Sequence, residues 1–268
     1  MMRPLLVIAT IMDLLTTPAI ASDAVLLHAA GSLRGALTEV SQAFEKSSGL
    51  KVQAKFGASG LLKDEIAAGA GAEVFASANM EHPQALAKAN KSGPVVLFAR
   101  NKLCALVRPG LAVTRDTLLD RMLDPDIKLG TSTPKADPSG DYAFEVFRKG
   151  EAVRQDVRPV LEKKALQLTG GPGSAAPPGG RNAYGWHIAE GRADMFLAYC
   201  TAARDAQKEN AELQMIVLPD ALAVGADYGL TVMTGASAGA YQFALFILST
   251  EGQRILASYG FLAPNLPE

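Results

Sequence analysis

A chain of 268 residues, 49% hydrophobic and with a formal net charge of −1, carries enough apolar material for one large domain or two modest lobes. No Lys/Arg cluster accompanies that near-neutral balance, which argues against nucleic acid or an anionic membrane surface as partner, because both draw their affinity from a basic patch. A small ligand is the expected partner.

The first 21 residues carry Arg3, the apolar run PLLVIATIM and the small residues Ala19 and Ala21 around Ile20, the pattern of a cleaved secretion signal. The apolar run is short of the ~20 residues a bilayer span needs. Cleavage after Ala21 starts the mature chain at Ser22 and places it in the periplasm or its equivalent; with no Cys near that site, the pattern gives no support for a lipid anchor.

From there apolar runs alternate with helix-period segments. Strand VLLHAA leads to a helix over 33–46, strand KVQAKF to a helix over 61–68, and strand EVFASA to a helix over 82–89. That βαβαβ order predicts a mostly parallel sheet with helices on both faces. Strands VVLFA and LCALV follow, then a helix over 115–123, strand IKLGT, helices over 142–149 and 180–190, and strand DMFLAYC. Strands LQMIVL and YGLTVM and helices over 238–249 and 251–259 complete the chain, and the whole reads as an α/β protein of two lobes. The stretch GGPGSAAPPGG, residues 170–180, is a loop by its Gly and Pro content.

In open α/β sheets ligands bind outside the carboxyl ends of strands. The turns at those ends read AAGSL, GASGLL, SAN, STPKADPSGDY and GGRNAYG. Each offers Gly or Ala for close approach, and most add a Ser or Thr hydroxyl as a neutral donor, which suits a compact oxyanion. Cys104 and Cys200, 96 positions apart, are either a disulfide of an exported protein or two buried small hydrophobes. His28, His82 and His187 stand at no metal-ligand spacing, so no cation site is expected. Neither AGSLR nor GASGL has the G-x-S-x-G spacing of a nucleophile elbow, so no catalytic residue is assigned and a hydrolase is the disfavoured alternative.

The runs AAGSLRGALTEVSQAFEKSSGLKV, FGASGLLKDEIAAGAGAEVFASAN, PSGDYA, LAYCTAA and GQRILASYGF together resemble the molybdate-binding periplasmic proteins of ABC importers, in the same order over nearly the whole mature chain. The resemblance implies a type II periplasmic binding protein fold. One lobe would hold residues 22–98 and about 220–268, the other about 99–219, with a hinge between them. It implies a monomer without cofactor that captures molybdate or tungstate and delivers it to a membrane permease. The family's two serines fall on Ser32 and Ser59, its amide turn on Ser139, its binding tyrosine on Tyr199, and a fifth position on or near Arg181. Gly31, beside Ser32, and Ser77, in the SAN turn, are further candidates to touch the ligand. DPSGDY is also similar to related tungstate and molybdate binders in which an acidic residue before the Pro reaches the metal; Asp137 holds that place, and Arg181 stands where they carry a second carboxylate.

Each residue also has a plain structural reading. Ser32, Ser59 and Asp137 suit helix caps, Ser139 a turn, Tyr199 a core strand, Ser77 a loop brace and Arg181 a solvated loop. Arg181 and the 170–180 loop leave a different anion open, such as an organic acid or a chelate.

Overall fold

The computed structural model describes residues 24–264; the expected signal segment, residues 1–21, lies outside them. In chain order the elements are β1 (Val25–Ala30), α1 (Arg34–Ser48), β2 (Val52–Gly57), α2 (Ser59–Ala67), β3 (Val74–Ser77), α3 (Glu81–Lys88) and β4 (Val96–Val107). Then come α4 (Leu118–Leu123), β5 (Leu129–Ser132), α5 (Pro138–Val153), α6 (Val157–Lys164), β6 (Leu166–Thr169), α7 (Ala183–Ala189) and β7 (Met195–Tyr199). The chain ends with α8 (Cys200–Glu209), β8 (Gln214–Val217), β9 (Gly225–Val232), α9 (Ala238–Leu248) and α10 (Thr250–Ser258).

Hydrogen bonding links the strands in the order β2-β1-β3-β9-β4-β7-β5-β6, with β8 also on β4. β1 runs parallel to β2 and β3, and β5 parallel to β6 and β7, as helix crossovers require. β4 and β9 are antiparallel to all their neighbours, so the sheet is mixed where the two halves meet. Within β4, residues 96–102 pair with β9, whereas 103–107 pair with β7 and β8. Sequence reading expected two strands there, because Arg100, Asn101 and Lys102 interrupt the apolar run. Each half of the interruption is satisfied in place: the Arg100 Nε donates to Asp227 Oδ1 at 3.0 Å, and the Asn101 side-chain amide donates to Thr201 Oγ1 at 2.8 Å. The strand therefore continues through its polar middle.

Apolar faces cover both sides of each half. Leu33, Leu37, Val40 and Phe44 from α1 and the turn before it meet Phe243 and Ile247 of α9, while Leu62, Ile66 and Leu86 of α2 and α3 close on Phe75 from the opposite face. In the second half Val146 and Phe147 of α5 and Leu161 of α6 lie on one side, and Ala203 and Ala206 of α8 with Ile188 of α7 pack Phe196 on the other. Sequence reading did not anticipate α6, β6 or α8. β6 lies at the end of the strand order with its first two residues exposed, so it lacks an apolar alternation. α8 starts at the residue after β7, without a side-chain cap, which erases the usual boundary signal.

The Cys104 and Cys200 sulfurs are bonded, with the Cα atoms 4.9 Å apart. The bridge joins β4 to the first residue of α8, immediately after Tyr199. A cross-link over 96 positions removes much of the freedom of the unfolded chain. Reduction, or the double replacement Cys104→Ala/Cys200→Ala, is expected to lower stability by about 2–4 kcal/mol, read as a drop in the urea midpoint; an unchanged midpoint would show that the bridge constrains nothing.

Candidate functional site

The carboxyl ends of β1, β2, β6 and β7 face one cleft of about 750 Å³, walled by both halves of the molecule. Ser32 stands in the 3-10 turn after β1, and Ser59 is the first residue of α2 after β2. Neither hydroxyl caps its helix. The Ser59 Oγ instead accepts the Ala78 N–H at 3.1 Å, which leaves its own proton to donate. Ser32 Oγ lies 3.0 Å from the Tyr228 hydroxyl, itself reached by the Asn101 amide at 3.4 Å. Both serines and Gly31 line the cleft. At the start of α2, the Gly60 N–H donates to the Ala136 carbonyl at 2.8 Å, across the cleft, while Ser59 and Leu61 have backbone amides that no described backbone group accepts from.

On the facing wall, Tyr199 ends β7 with 1% of its surface exposed and a hydroxyl that has no protein partner. Burial raises its pKa, so the phenol stays a donor. Asp137 caps α5: its Oδ1 accepts the Ser139 N–H at 3.0 Å, and Pro138 occupies the first helical position. Ser139 therefore meets a carboxylate rather than the cleft with its amide. It does not line the cleft, and its buried hydroxyl, like that of Ser132, lies beside the Tyr184 phenol without closing a hydrogen bond. Asp137 is half-buried, reached from the cleft and otherwise wrapped in protein. Burial pushes its carboxyl up to about 6 against the Ser139 N–H bond that favours the charged form.

Arg181 lines the cleft with 43% of its side chain exposed, its Nε 3.9 Å from Glu209 Oε2, and its backbone N–H donates to Pro178. Ser77 lies outside the cleft lining: it is fully buried, donating to Asn79 Oδ1 at 2.9 Å and accepting the Asn79 N–H at 3.3 Å. Sequence reading passed over Arg34, although it stands two residues after Ser32 in the quoted AAGSLRGAL run. Its guanidinium lies 4.8 Å from the centre of the Phe56 ring, and both line the cleft. Tyr184 and Lys208 were also missed; Tyr184 lay inside the quoted GGRNAYG turn. A second, smaller cavity of about 240 Å³ is walled by Glu81, Asp141 and Asp227, an environment that repels anions. Among the described residues no cluster of His, Cys, Asp or Glu could hold a metal ion.

Two α/β halves bridged by β4, with a cleft between them at their strand ends, define a solute receptor of the periplasmic binding protein fold. The chain belongs to the bacterial extracellular solute-binding protein family, whose model matches residues 25–262. It is 34% identical to PM1146, an uncharacterized protein of Pasteurella multocida, over 88% of this chain and 98% of that one. The molybdate-binding protein ModA of Mycobacterium tuberculosis is 25% identical over 92% of this chain and 87% of its own length. Among solved structures, the sulfate-binding protein SubI of Mycobacterium tuberculosis shares the fold, with a TM-score of 0.75 and 21% identity over 90% of this chain and 86% of that one.

Two expectations follow from the geometry. A Cβ at Gly60 would run into the carbonyl oxygens of Lys135 and Ala136, the latter at 2.7 Å, so Gly60→Ala should hold the halves apart. Small-angle scattering is expected to show a larger radius of gyration for that variant, with a melting temperature close to the parent's. For Asp137, a carboxyl raised in the folded state holds a proton between about pH 4 and 6 that the unfolded chain releases, so stability falls as pH rises through that window and stays lower above it. Asp137→Asn keeps an acceptor for the cap without the charge. It should be more stable than the parent at pH 8 by roughly 1–3 kcal/mol, the gap closing below about pH 4, as measured by urea unfolding across pH.

Proposed function

We propose that this protein is the periplasmic receptor of an ABC importer and that it captures an oxyanion between its lobes for delivery to the permease. Molybdate or tungstate is the free anion that the sequence resemblance and the mycobacterial ModA relative support. One observation carries the oxyanion reading: the almost fully buried Tyr199 hydroxyl lines the cleft with no protein partner, opposite a Ser59 hydroxyl free to donate. A buried donor left unpaired is costly, about 1–3 kcal/mol, and an oxygen-rich anion removes that cost. No histidine bonds to Ser32 or Ser59 among the described residues, so neither serine has a base to make it a nucleophile.

Ser32, Ser59, Gly31 and the free amides of α2 would receive the anion on the first lobe, and Tyr199, with Arg181 at the rim, on the second. Ser139 stands behind that wall, Asp137 reaches the cleft from the start of α5, and Ser77 braces the loop after β3. The pairing change in β4 between Lys102 and Leu103, and the start of β9 at Gly225, support a hinge a few residues beyond the boundaries expected near 98 and 220. Charge-assisted hydrogen bonds contribute roughly 1.5–3 kcal/mol each, so five such contacts exceed the ~8 kcal/mol of a micromolar site even after ordering costs. The size of the cleft favours a second reading, in which the oxyanion is the head group of an organic molecule.

Isothermal titration of the purified protein with molybdate, tungstate and sulfate tests the first reading. Micromolar or tighter binding of molybdate and tungstate, with sulfate weaker, is expected; silence with all three would sink it. Ser59→Ala and Tyr199→Phe should each weaken the bound anion by about 10- to 150-fold.

A further inference from the structure

The cleft is far larger than a bare oxyanion needs. Each water in the liquid takes ~30 Å³, so a five-atom oxyanion fills roughly 100 Å³, whereas this cleft measures about 750 Å³. Its halves touch where the Gly60 N–H meets the Ala136 carbonyl, and elsewhere the cleft is open to solvent. A volume in this range suits an organic ligand.

The charges of the cleft say what kind. Arg181 faces Glu209, and Lys208 pairs with Asp205 at 2.8 Å, so these four neutralise one another along α8. Arg34 and Asp137 have no ion-pair partner among the described residues, and they stand on opposite lobes. Arg34 complements negative charge. Asp137 accepts the Ser139 N–H with one oxygen, has the Ser132 hydroxyl beside its carboxyl and lines the cleft, so it complements a hydrogen-bond donor there. A fully ionised oxyanion has no donor and would be repelled by this carboxylate. The donors at Ser59 and Tyr199 come from separate elements of opposite lobes, an approach that matches a three-oxygen phosphoryl end better than a planar carboxylate.

We infer that the ligand is a hydroxyl-bearing organic phosphate, its phosphoryl end held by Ser59, Tyr199 and Arg34 and a hydroxyl donating to Asp137. This rests on the anion reading of the cleft and names the body attached to the anion. Loop 170–180 walls the space for that body, with Ser174 and Gly180 among the lining residues.

The test is titration of the purified protein with glycerol 3-phosphate, glucose 6-phosphate, n-propyl phosphate, inorganic phosphate, molybdate and tungstate. At least one hydroxylated ester should bind tenfold or more tighter than propyl phosphate and than every bare oxyanion. Asp137→Asn should weaken that ester at least tenfold while strengthening molybdate, a reversal that a merely unstable variant would not produce. A bare oxyanion that outbinds every ester, or propyl phosphate equal to its hydroxylated counterparts, overturns the inference and leaves the oxyanion reading standing. An ester bound where bare oxyanions are silent supports the inference and removes free molybdate as the ligand. Silence with all six defeats the anion reading and this inference together.

Discussion

One strand holds the two halves of this molecule together by hydrogen bonding to each in turn. β4 gives residues 96–102 to β9 and residues 103–107 to β7 and β8, so both half-sheets grow from a common strand. Because the parallel strands of the two half-sheets end at one cleft, their carboxyl ends supply its walls. The disulfide from Cys104 to Cys200 reinforces this junction at the residue after Tyr199. Tyr228 adds a second tie, meeting Tyr199 at 5.6 Å between ring centres and the Ser32 hydroxyl at 3.0 Å. The strand ends around the cleft are thus positioned by a backbone ladder, and loop 170–180 completes the wall.

Serine and tyrosine hydroxyls line that cleft, and its two charged side chains without ion-pair partners among the described residues, Arg34 and Asp137, sit on different halves. Neutral donors in a partly dehydrated site bind an anion without the desolvation penalty of a buried salt bridge. Asp137 departs from that scheme. It stabilises the start of α5 by accepting the Ser139 amide, and in doing so it places negative charge where an anion site would offer a donor. The same carboxylate therefore caps the helix and lines the cleft.

The strand-to-helix turns were legible because small residues and hydroxyls follow apolar runs at AAGSL and GASGLL, and β1, β2, α1 and α2 lie close to where that pattern places them. What Ser59 does with its hydroxyl was not legible. A serine at a helix start usually caps it, and only the approach of the Ala78 amide, 19 positions away, shows that this one is turned elsewhere. Asp137 shows the reverse: its capping role could be read from DPSGDY, because the cap and its Ser139 partner are two residues apart. Arg34 was overlooked because its lack of a carboxylate partner is a fact about the whole surface.

By itself the sequence determined the α/β class, the alternation of strands and helices, and the polar character of the turns that face the cleft. These follow from periodicity and capping, which act over a few residues. Tertiary structure alone decided that VVLFA and LCALV are one strand, that Cys104 and Cys200 are joined, and that α8 begins directly at the end of β7. It also decided which donors are left unpaired and how much room lies between them. Pairing, cross-linking and vacancy depend on groups separated by tens to hundreds of positions, and no local pattern records where such groups meet.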